Sequence, residues 1–271
     1  MSEPVHYEAV GAQARITLDR PEVRNALDGP SLRALAAGLS RAASDPAVRV
    51  VVLGATGTVF CSGADLGGAA AAGEESFAAG APAALARILE QMITLPKPVI
   101  ARVQGHVVAG GVGLVAASDL AVAAEGATFG FSEVRVGVAP AVISVAVLRK
   151  MHPAMAAELM LTGSRVPAAR VLEGGLIQRV VPDSDLDATV EQWVVDVCSG
   201  GPRAVATTKA LIDQVPAMPR TSAWAWTAEL SGAMFGSAEA AEGMSAFLAR
   251  RTADWSRFGD ADLGVDDGAQ A

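Results

Sequence analysis

The most apolar stretch of the sequence, residues 99–124, constrains the fold most strongly. It is interrupted by polar side chains at Arg102, Gln104, His106 and Asp119, and it contains a cluster of glycines. Such groups are costly inside a bilayer, so the stretch indicates a buried core and not a membrane span. Residues 99–103 and 120–123 are predicted to form strands, of which 120–123 is a continuous apolar run typical of a strand buried on both faces. A helix that begins in glycines is predicted over 110–118.

The order of the other patterns predicts a mixed α/β core followed by a helical C-terminal third. Alternation over 14–18 indicates a half-buried strand, Asp28-Gly29-Pro30 opens a helix, and 50–53 indicates a buried strand. Residues 69–80 are small and predict a mobile loop, with a helix following to Met92. Strand patterns fade after 141, and helices are predicted at 154–161, 168–173, 186–198, 202–214, 222–235 and 238–251. The acidic tail after Trp255 is expected to fray.

Composition excludes several classes of function. Among 271 residues, 21 Lys and Arg stand against 29 Asp and Glu, a formal charge of −8, which argues against a broad nucleic-acid surface. The two cysteines, Cys61 and Cys198, lack paired spacing, so neither a disulfide framework nor a structural zinc site is expected. Residues 1–10 contain no apolar segment of a signal peptide, so the cytoplasm is the expected location.

Two glycine-bearing segments could present backbone N–H groups to a ligand. In Phe60-Cys61-Ser62-Gly63-Ala64-Asp65-Leu66, small residues follow a buried strand, although Asp65 could simply cap a turn. Residues 105–114 place glycines at a predicted helix start, where free N–H groups and the helix dipole suit an anion. Gly111, Gly113 and Ala116 also spell a nucleotide-binding fingerprint with Glu133 downstream. We discount it because Val107-Val108 makes a poor strand and no βαβ unit follows.

A third segment, residues 129–137, carries Glu133 in apolar surroundings. Burial would raise the pKa of this carboxyl group and suit it to proton transfer. The alternative is a surface glutamate paired with Arg135. The histidines, His6, His106 and His152, share no metal-ligand spacing, and we interpret them as structural or surface residues.

Together these segments resemble the enoyl-CoA hydratase/isomerase (crotonase) family. Arg20-Pro21-Glu22-Val23-Arg24-Asn25-Ala26-Leu27 is similar to its RPxxxNAL signature. The segments 60–66, 104–119 and 131–137 resemble its two oxyanion-hole segments and its catalytic-glutamate segment, and 242–251 resembles its C-terminal helix. The order is that of the family, and the matches span nearly the whole chain. Glu133 to Ser144 looks like the methylglutaconyl-CoA hydratase-like branch.

The resemblance implies an α/β fold: a crotonase-type spiral of ββα turns over 1–200 and a C-terminal helical trimerisation region over 201–271. It implies a homotrimer or a dimer of trimers that binds an acyl-CoA substrate, without nucleic-acid or membrane partners. No metal or redox cofactor is implied, because coenzyme A is part of the substrate.

The resemblance also implies residue roles. The N–H groups of Ala64 and Gly110 would hold the thioester oxygen as it becomes an enolate, and Glu133 would move the proton. Contacts to substrate or coenzyme A fall on Arg24, Ala26, Ala64, Asp65, Leu66, Gly110 and Arg250.

One position departs from the family pattern. Typical hydratases of the family carry a second glutamate that helps to activate water, and the matching residue here is Gly113. Three functions stay open: hydration of a 2-enoyl-CoA, which the longer local resemblance favours, isomerisation of a double bond with Glu133 alone, and non-catalytic acyl-CoA binding.

Overall fold

The computed structural model of the chain describes residues 3–65 and 74–258. Its strands are β1 (Val5–Val10), β2 (Gln13–Leu18), β3 (Val50–Ala55), β4 (Val59–Cys61), β5 (Val99–Val103), β6 (His106–Val108), β7 (Leu120–Ala124), β8 (Thr128–Gly130), β9 (Arg165–Pro167) and β10 (Arg179–Val181). Its helices are α1 (Gly29–Ser44), α2 (Glu74–Thr94), α3 (Gly110–Ala117), α4 (Ala141–Lys150), α5 (Pro153–Thr162), α6 (Ala168–Glu173), α7 (Leu186–Ser199), α8 (Pro202–Gln214), α9 (Arg220–Phe235) and α10 (Ala238–Leu248).

The larger sheet has six strands in the order β1-β2-β3-β5-β7-β10. β1 and β2 are antiparallel, and the other neighbours are parallel. Every residue of β3 is buried because both faces of the sheet are covered. Val51 and Leu53 face the main core, whereas Val50 and Val52 pack against α7 through Trp193 and its neighbours.

The smaller sheet has four strands in the order β4-β6-β8-β9. β4, β6 and β8 run parallel, and β9 is antiparallel to β8. The three parallel strands therefore end at one edge of this sheet. In open sheets of parallel strands, that edge is where ligands usually bind.

Helix α3 accounts for much of the apolar character of residues 99–124. All eight of its residues are buried, and it contacts α2 and α4 in the interior. A helix that is apolar on every side belongs in a core of this kind. Among the described residues, no helix combines the length and the hydropathy that a membrane crossing requires.

Most predicted elements are confirmed within one or two residues, but several predictions are wrong. Residues 74–80 of the predicted loop belong to α2, since alanine favours helices; residues 69–73 lie outside the described part. Strands β9 and β10 lie in the region predicted to be helical, and each has only three residues, too few for a periodic pattern. α10 ends at Leu248 because Arg250 is left-handed, with φ 53°. Most of the tail predicted to fray, 259–271, is outside the described residues.

Candidate active site

Three segments meet at the carboxyl edge of the smaller sheet. Cys61 at the end of β4 pairs with Val107 of β6, and Val108 pairs with Gly130 of β8. The polypeptide leaves these strands through residues 62–65, 109–110 and 131–133. Glu133 lies three residues beyond Gly130, a span of at most about 11 Å. The structure thus brings together the three segments singled out in the sequence.

Asn25 anchors the loop that runs beside this edge. Its side-chain oxygen accepts the N–H of Arg20 at 2.7 Å, and its amide nitrogen donates to Thr56 O at 2.9 Å and Val59 O at 2.8 Å. Asn25 is 2% exposed and has φ 52°. Asparagine tolerates this left-handed conformation better than most residues. The amide therefore ties the turn after β2 to the β3–β4 connection.

The anchored loop fixes the backbone around Ala64. Leu27 and Ala64 form an isolated parallel bridge, in which Leu27 N–H donates to Gly63 O at 2.7 Å and Asp65 N–H donates to Leu27 O at 3.2 Å. Because the bridge uses the groups on either side of Ala64, the N–H of Ala64 points away from Leu27. Within residues 3–65 and 74–258, this N–H donates no hydrogen bond.

Gly110 brings a second N–H group to the same place. As the first residue of α3, it has no intrahelical acceptor for its N–H. The preceding Ala109 has φ 49° and ψ −117°, and its N–H donates to Gly130 O at 3.0 Å. This unusual backbone conformation is held by the neighbouring strand.

The backbones of Gly63 and Gly110 are in direct contact. Gly63 has φ 86°, and a Cβ built on it would lie 3.3 Å from the nitrogen of Gly110 and 2.8 Å from Cβ of Ala109. A Cβ on Gly110 would lie 3.3 Å from the side chains of both Leu27 and Leu85. The positive φ and the close approach to Ala109 require glycine at position 63, whereas a side chain at position 110 would press against the two leucines. The N–H groups of Ala64 and Gly110, which have no acceptor within the described residues, are therefore neighbours at the positive end of α3.

Glu133 lies in a short 3₁₀ helix, Ser132–Val136, and is half-buried. Burial raises the pKa of its carboxyl group above the ordinary value. Its Oε2 atom is buried and has no hydrogen-bond partner among the described residues. No ion pair with Arg135 is found in that part of the chain, and Arg135 lies against Gly163 instead. The surface-pair alternative is not supported.

Gly113 is enclosed by apolar side chains. A Cβ on Gly113 would lie 2.6 Å from Cγ2 of Ile143 and 3.3 Å from Cδ1 of Leu89. Ile143 is 3% exposed and lies in α4, which packs on α3. A carboxylate side chain at position 113 would displace Ile143. The packing of α3 on α4 therefore excludes a glutamate at this position.

The remaining predicted contact residues are only partly brought together. Arg24 is exposed and its carbonyl accepts the Ser62 N–H at 3.1 Å, and Ala26 is buried beside it. Asp65 follows Ala64 at the bridge. Leu66 lies outside the described residues. Arg250 follows α10, and its N–H bonds back to Phe247 O at 3.2 Å; a contact of Arg250 with coenzyme A stays a prediction.

Two features of the site were not predicted from the sequence. Asn25 belongs to the signature at 20–27, but no role was predicted for it, and Ile143 was not recognised as part of the site. The prediction that Val107-Val108 makes a poor strand was wrong, because residues 106–108 form strand β6. However, β6 and β7 belong to different sheets, so α3 does not connect two strands of one sheet as the fingerprint requires. Within the described residues, no cluster of metal-binding side chains is present.

Comparison with known proteins identifies the family of the chain. The family model described as "Enoyl-CoA hydratase/isomerase" matches residues 8–257. The chain is 33% identical over 240 residues to "Enoyl-CoA hydratase EchA19" of Mycobacterium tuberculosis, covering 87% of this chain and 90% of that one. It is 34% identical over 263 residues to "Carnitinyl-CoA dehydratase" of Salmonella typhi, covering 94% and 99%.

A solved structure shows the same fold. The crystal structure of enoyl-CoA hydratase from Mycobacterium smegmatis superimposes with a TM-score of 0.89 at 34% identity, covering 94% of this chain and all of that one. The arrangement of parallel sheets and helices is therefore that of the crotonase fold. The chain belongs to the enoyl-CoA hydratase/isomerase family.

Proposed function

We propose that the protein adds water reversibly to the double bond of a 2-enoyl-CoA thioester. The observation that supports this most is the pair of free N–H groups at Ala64 and Gly110, next to the segment that carries Glu133. The names of two relatives, a hydratase and a dehydratase, concern the two directions of such a reaction.

Ala64 and Gly110 would bind the thioester oxygen. When a nucleophile attacks C3 of the enoyl group, negative charge moves onto this oxygen and an enolate forms. Two fixed donors at the end of a helix stabilise that charge more than they stabilise the neutral carbonyl. Loss of one such donor typically costs about 3–4 kcal/mol of transition-state stabilisation.

Glu133 would carry the proton in both halves of the reaction. Its carboxylate removes a proton from water as the water oxygen attacks C3, and the resulting carboxylic acid returns a proton to C2 of the enolate. Water is thereby added across the double bond and Glu133 returns to its starting state. The raised pKa of Glu133 moves toward neutral pH. This suits a group that must both accept and donate a proton.

Isomerisation of a double bond is the second candidate, and a specific observation favours it. Ile143 and Leu89 fill the space around Gly113, which leaves no second carboxylate there to position water. A 3-enoyl-CoA could lose a proton from C2 to Glu133 and regain it at C4. This reaction needs the same two N–H groups and the same carboxylate, without water.

Other properties follow from the same proposal. Arg24, Ala26, Asp65, Leu66 and Arg250 would contact the coenzyme A portion or the thioester, and the chemistry needs no metal or redox cofactor. We place the protein in the cytoplasm, where the free thiols of Cys61 and Cys198 are compatible with a reducing environment.

We also propose a homotrimer, or a dimer of trimers, with residues 201–271 as the trimerisation region. Large apolar side chains are exposed on its helices: Trp224 and Phe235 at 69%, Leu248 at 81% and Phe247 at 82%. Exposed large apolar side chains of this kind are frequent in protein–protein interfaces.

The experiment is to incubate the protein with crotonyl-CoA, 3-methylglutaconyl-CoA and a 3-enoyl-CoA in H₂¹⁸O and to follow products by mass spectrometry. A hydroxyacyl-CoA carrying ¹⁸O supports hydration. A 2-enoyl-CoA formed from the 3-enoyl substrate without ¹⁸O supports isomerisation. Thioester binding without turnover of any substrate would overturn both and indicate a non-catalytic acyl-CoA-binding protein.

A further inference from the structure

A second cavity lies at the opposite end of α3 from the candidate active site. It has a volume of about 700 Å³, within the range of small-molecule sites, and is lined by Ala116, Ala117 and Ser118 at the C-terminal end of α3. Gly110 is at the other end of this eight-residue helix, about 12 Å away along its axis. The cavity is therefore separate from the oxyanion-binding edge.

The walls of this cavity are mostly apolar, with charged groups among them. Aliphatic side chains from three regions of the chain line it, namely Ile93, Pro98, Val197, Val205 and Ile212. Its charged lining residues are Asp119, Arg149, Lys150, Lys209 and Asp213. Three cations against two carboxylates leave one positive charge in excess.

Four of these five charges are paired with one another. Lys209 Nζ lies 2.8 Å from Asp119 and also donates to Met92 O at 2.7 Å and Lys97 O at 3.1 Å. Arg149 lies 2.6 Å from Asp213. The ammonium group of Lys209 has therefore used all three of its N–H bonds.

Lys150 is the charge that remains. It ends α4, and its ammonium group donates to the carbonyl oxygen of Ser118. Across the described part of the chain, no carboxylate lies within ion-pair distance of it, which leaves N–H donors available toward the cavity. Burial lowers the pKa of Lys150 to about 8, with Asp119 opposing and Lys209 reinforcing the shift. An anion at Lys150 would offset this unfavourable burial of charge.

We propose that this cavity binds an aliphatic monocarboxylate, with the carboxylate group on Lys150 and the hydrocarbon chain against the apolar walls. The carboxylate neutralises the excess charge, and the walls of Ile93, Val197 and Ile212 remove the chain from water. The helix C-termini near Lys150 oppose an anion, so a carboxylate without an apolar chain binds weakly.

The affinity for a carboxylate should depend on pH, because it depends on the charge of Lys150. Asp119 and Lys209 are paired, as are Arg149 and Asp213, and burial lowers the pKa of Lys209 as well. Lys150 has no carboxylate at ion-pair distance within the described residues, so its ammonium group loses its proton most readily. A bound carboxylate favours the ammonium form and raises the pKa of Lys150. Affinity is therefore greatest below about pH 8 and decreases above it.

The test is calorimetric titration of octanoate into the full chain at pH 7 and pH 9. 1-Octanol is the uncharged ligand control. Lys150→Met removes the charge at similar length, Lys150→Arg retains it, and Thr208→Trp fills the cavity from an exposed position whose hydroxyl bonds only to Ala204 O at 2.7 Å among described residues. Thermal melting establishes that each variant is folded.

The expected result is one octanoate per chain, with binding weakened about tenfold or more by Lys150→Met and retained by Lys150→Arg. Binding is also weaker with 1-octanol, at pH 9 and in Thr208→Trp. Absence of binding overturns the proposal, as does equal binding of octanol. Octanoate that is displaced by acyl-CoA and unaffected by Lys150→Met overturns it too, because the ligand would then occupy the candidate active site.

Discussion

Ile143 occupies the space next to Gly113, since a Cβ on Gly113 would lie 2.6 Å from its Cγ2 atom. Gly113 lies in the wholly buried α3, and Ile143 lies in α4. The contact depends on the missing side chain at position 113. The contact of Gly113 with Ile143 therefore lets α3 and α4 approach closely and keeps this part of the interior apolar.

This contact predicts that Gly113→Ala destabilises the protein. The added methyl group has no space, and overpacking of this kind costs about 1–3 kcal/mol. Gly232→Ala is the matched control, because Gly232 is also helical but has nothing within 4 Å of the added Cβ; it is expected to stabilise by about 0.5–1 kcal/mol. Urea unfolding measures both.

Truncation of the neighbour tests the physical cause. In the Gly113→Ala/Ile143→Ala double variant, the clash is removed, so the second substitution costs less in the Gly113→Ala protein than in the wild type. If the two substitutions are additive, the contact is not the cause of the destabilisation.

Glu133→Gln is expected to lower the turnover of an enoyl-CoA substrate by about 10²–10⁴-fold, the usual contribution of an acid–base group. Acyl-CoA affinity should change little, because the amide has the size of the carboxylate. Steady-state kinetics and calorimetric binding of the thioester measure the two effects separately. An unchanged rate would exclude Glu133 as the proton carrier.

The rate of hydration should depend on the ionisation of Glu133. The reaction begins with the carboxylate accepting a proton, so the rate rises with pH through the pKa of this group. Burial places that pKa above the ordinary value of 4.5, and the midpoint of the rise should be displaced upward with it. A pH profile of kcat/KM checks this, and a midpoint at or below 4.5 would contradict the burial of the carboxylate.

The same shift predicts that Glu133→Gln stabilises the fold at neutral pH. A carboxyl group whose pKa is raised by folding contributes stability below its unfolded pKa and loses that contribution as pH rises through the folded value. The ionised group is therefore unfavourable at pH 7, and glutamine avoids this cost. The difference in melting temperature should shrink as pH falls toward 4.5, and a constant difference would show that burial of charge is not responsible.

Asn25 is expected to stabilise the fold through the hydrogen bonds of its side-chain amide and through its tolerance of a left-handed backbone. Asn25→Ala loses three hydrogen bonds and places alanine at φ 52°, whereas Asn25→Gly loses the bonds without the strain. Each buried partner left unpaired costs about 1–3 kcal/mol. The expected order of stability is wild type, then glycine, then alanine, by thermal melting. Equal stability of the two variants would show that the left-handed backbone conformation at position 25 does not contribute to the loss of stability.

The strong patterns of the sequence predicted four strands of the larger sheet, β2, β3, β5 and β7, and most helices. Strands β1 and β10 at its edges were not predicted. Residues 50–53 form a continuous apolar run because both faces of that sheet are covered. The smaller sheet was missed because β4, β6 and β8 have three residues each, which is too short for alternation to show. Their pairing depends on distant partners that no local pattern reveals.

The site segments were predicted because glycines and a lone glutamate are unusual in apolar surroundings. Their meeting at one edge follows from the parallel pairing of β4, β6 and β8, which the sequence pattern did not show. Ile143 could not be recognised, because a buried isoleucine in a helix looks like any other core residue. Its role depends on which glycine it faces. The narrower resemblance to the methylglutaconyl-CoA hydratase-like branch stays a prediction.

A crystal structure of the protein with a bound acyl-CoA thioester would show directly which groups hold the thioester oxygen. We expect this oxygen at about 2.7–3.1 Å from the backbone nitrogens of both Ala64 and Gly110, with the Glu133 carboxylate facing the reacting carbons. A thioester bound with its oxygen away from these two groups, or with Glu133 turned from the acyl chain, would contradict the proposed site.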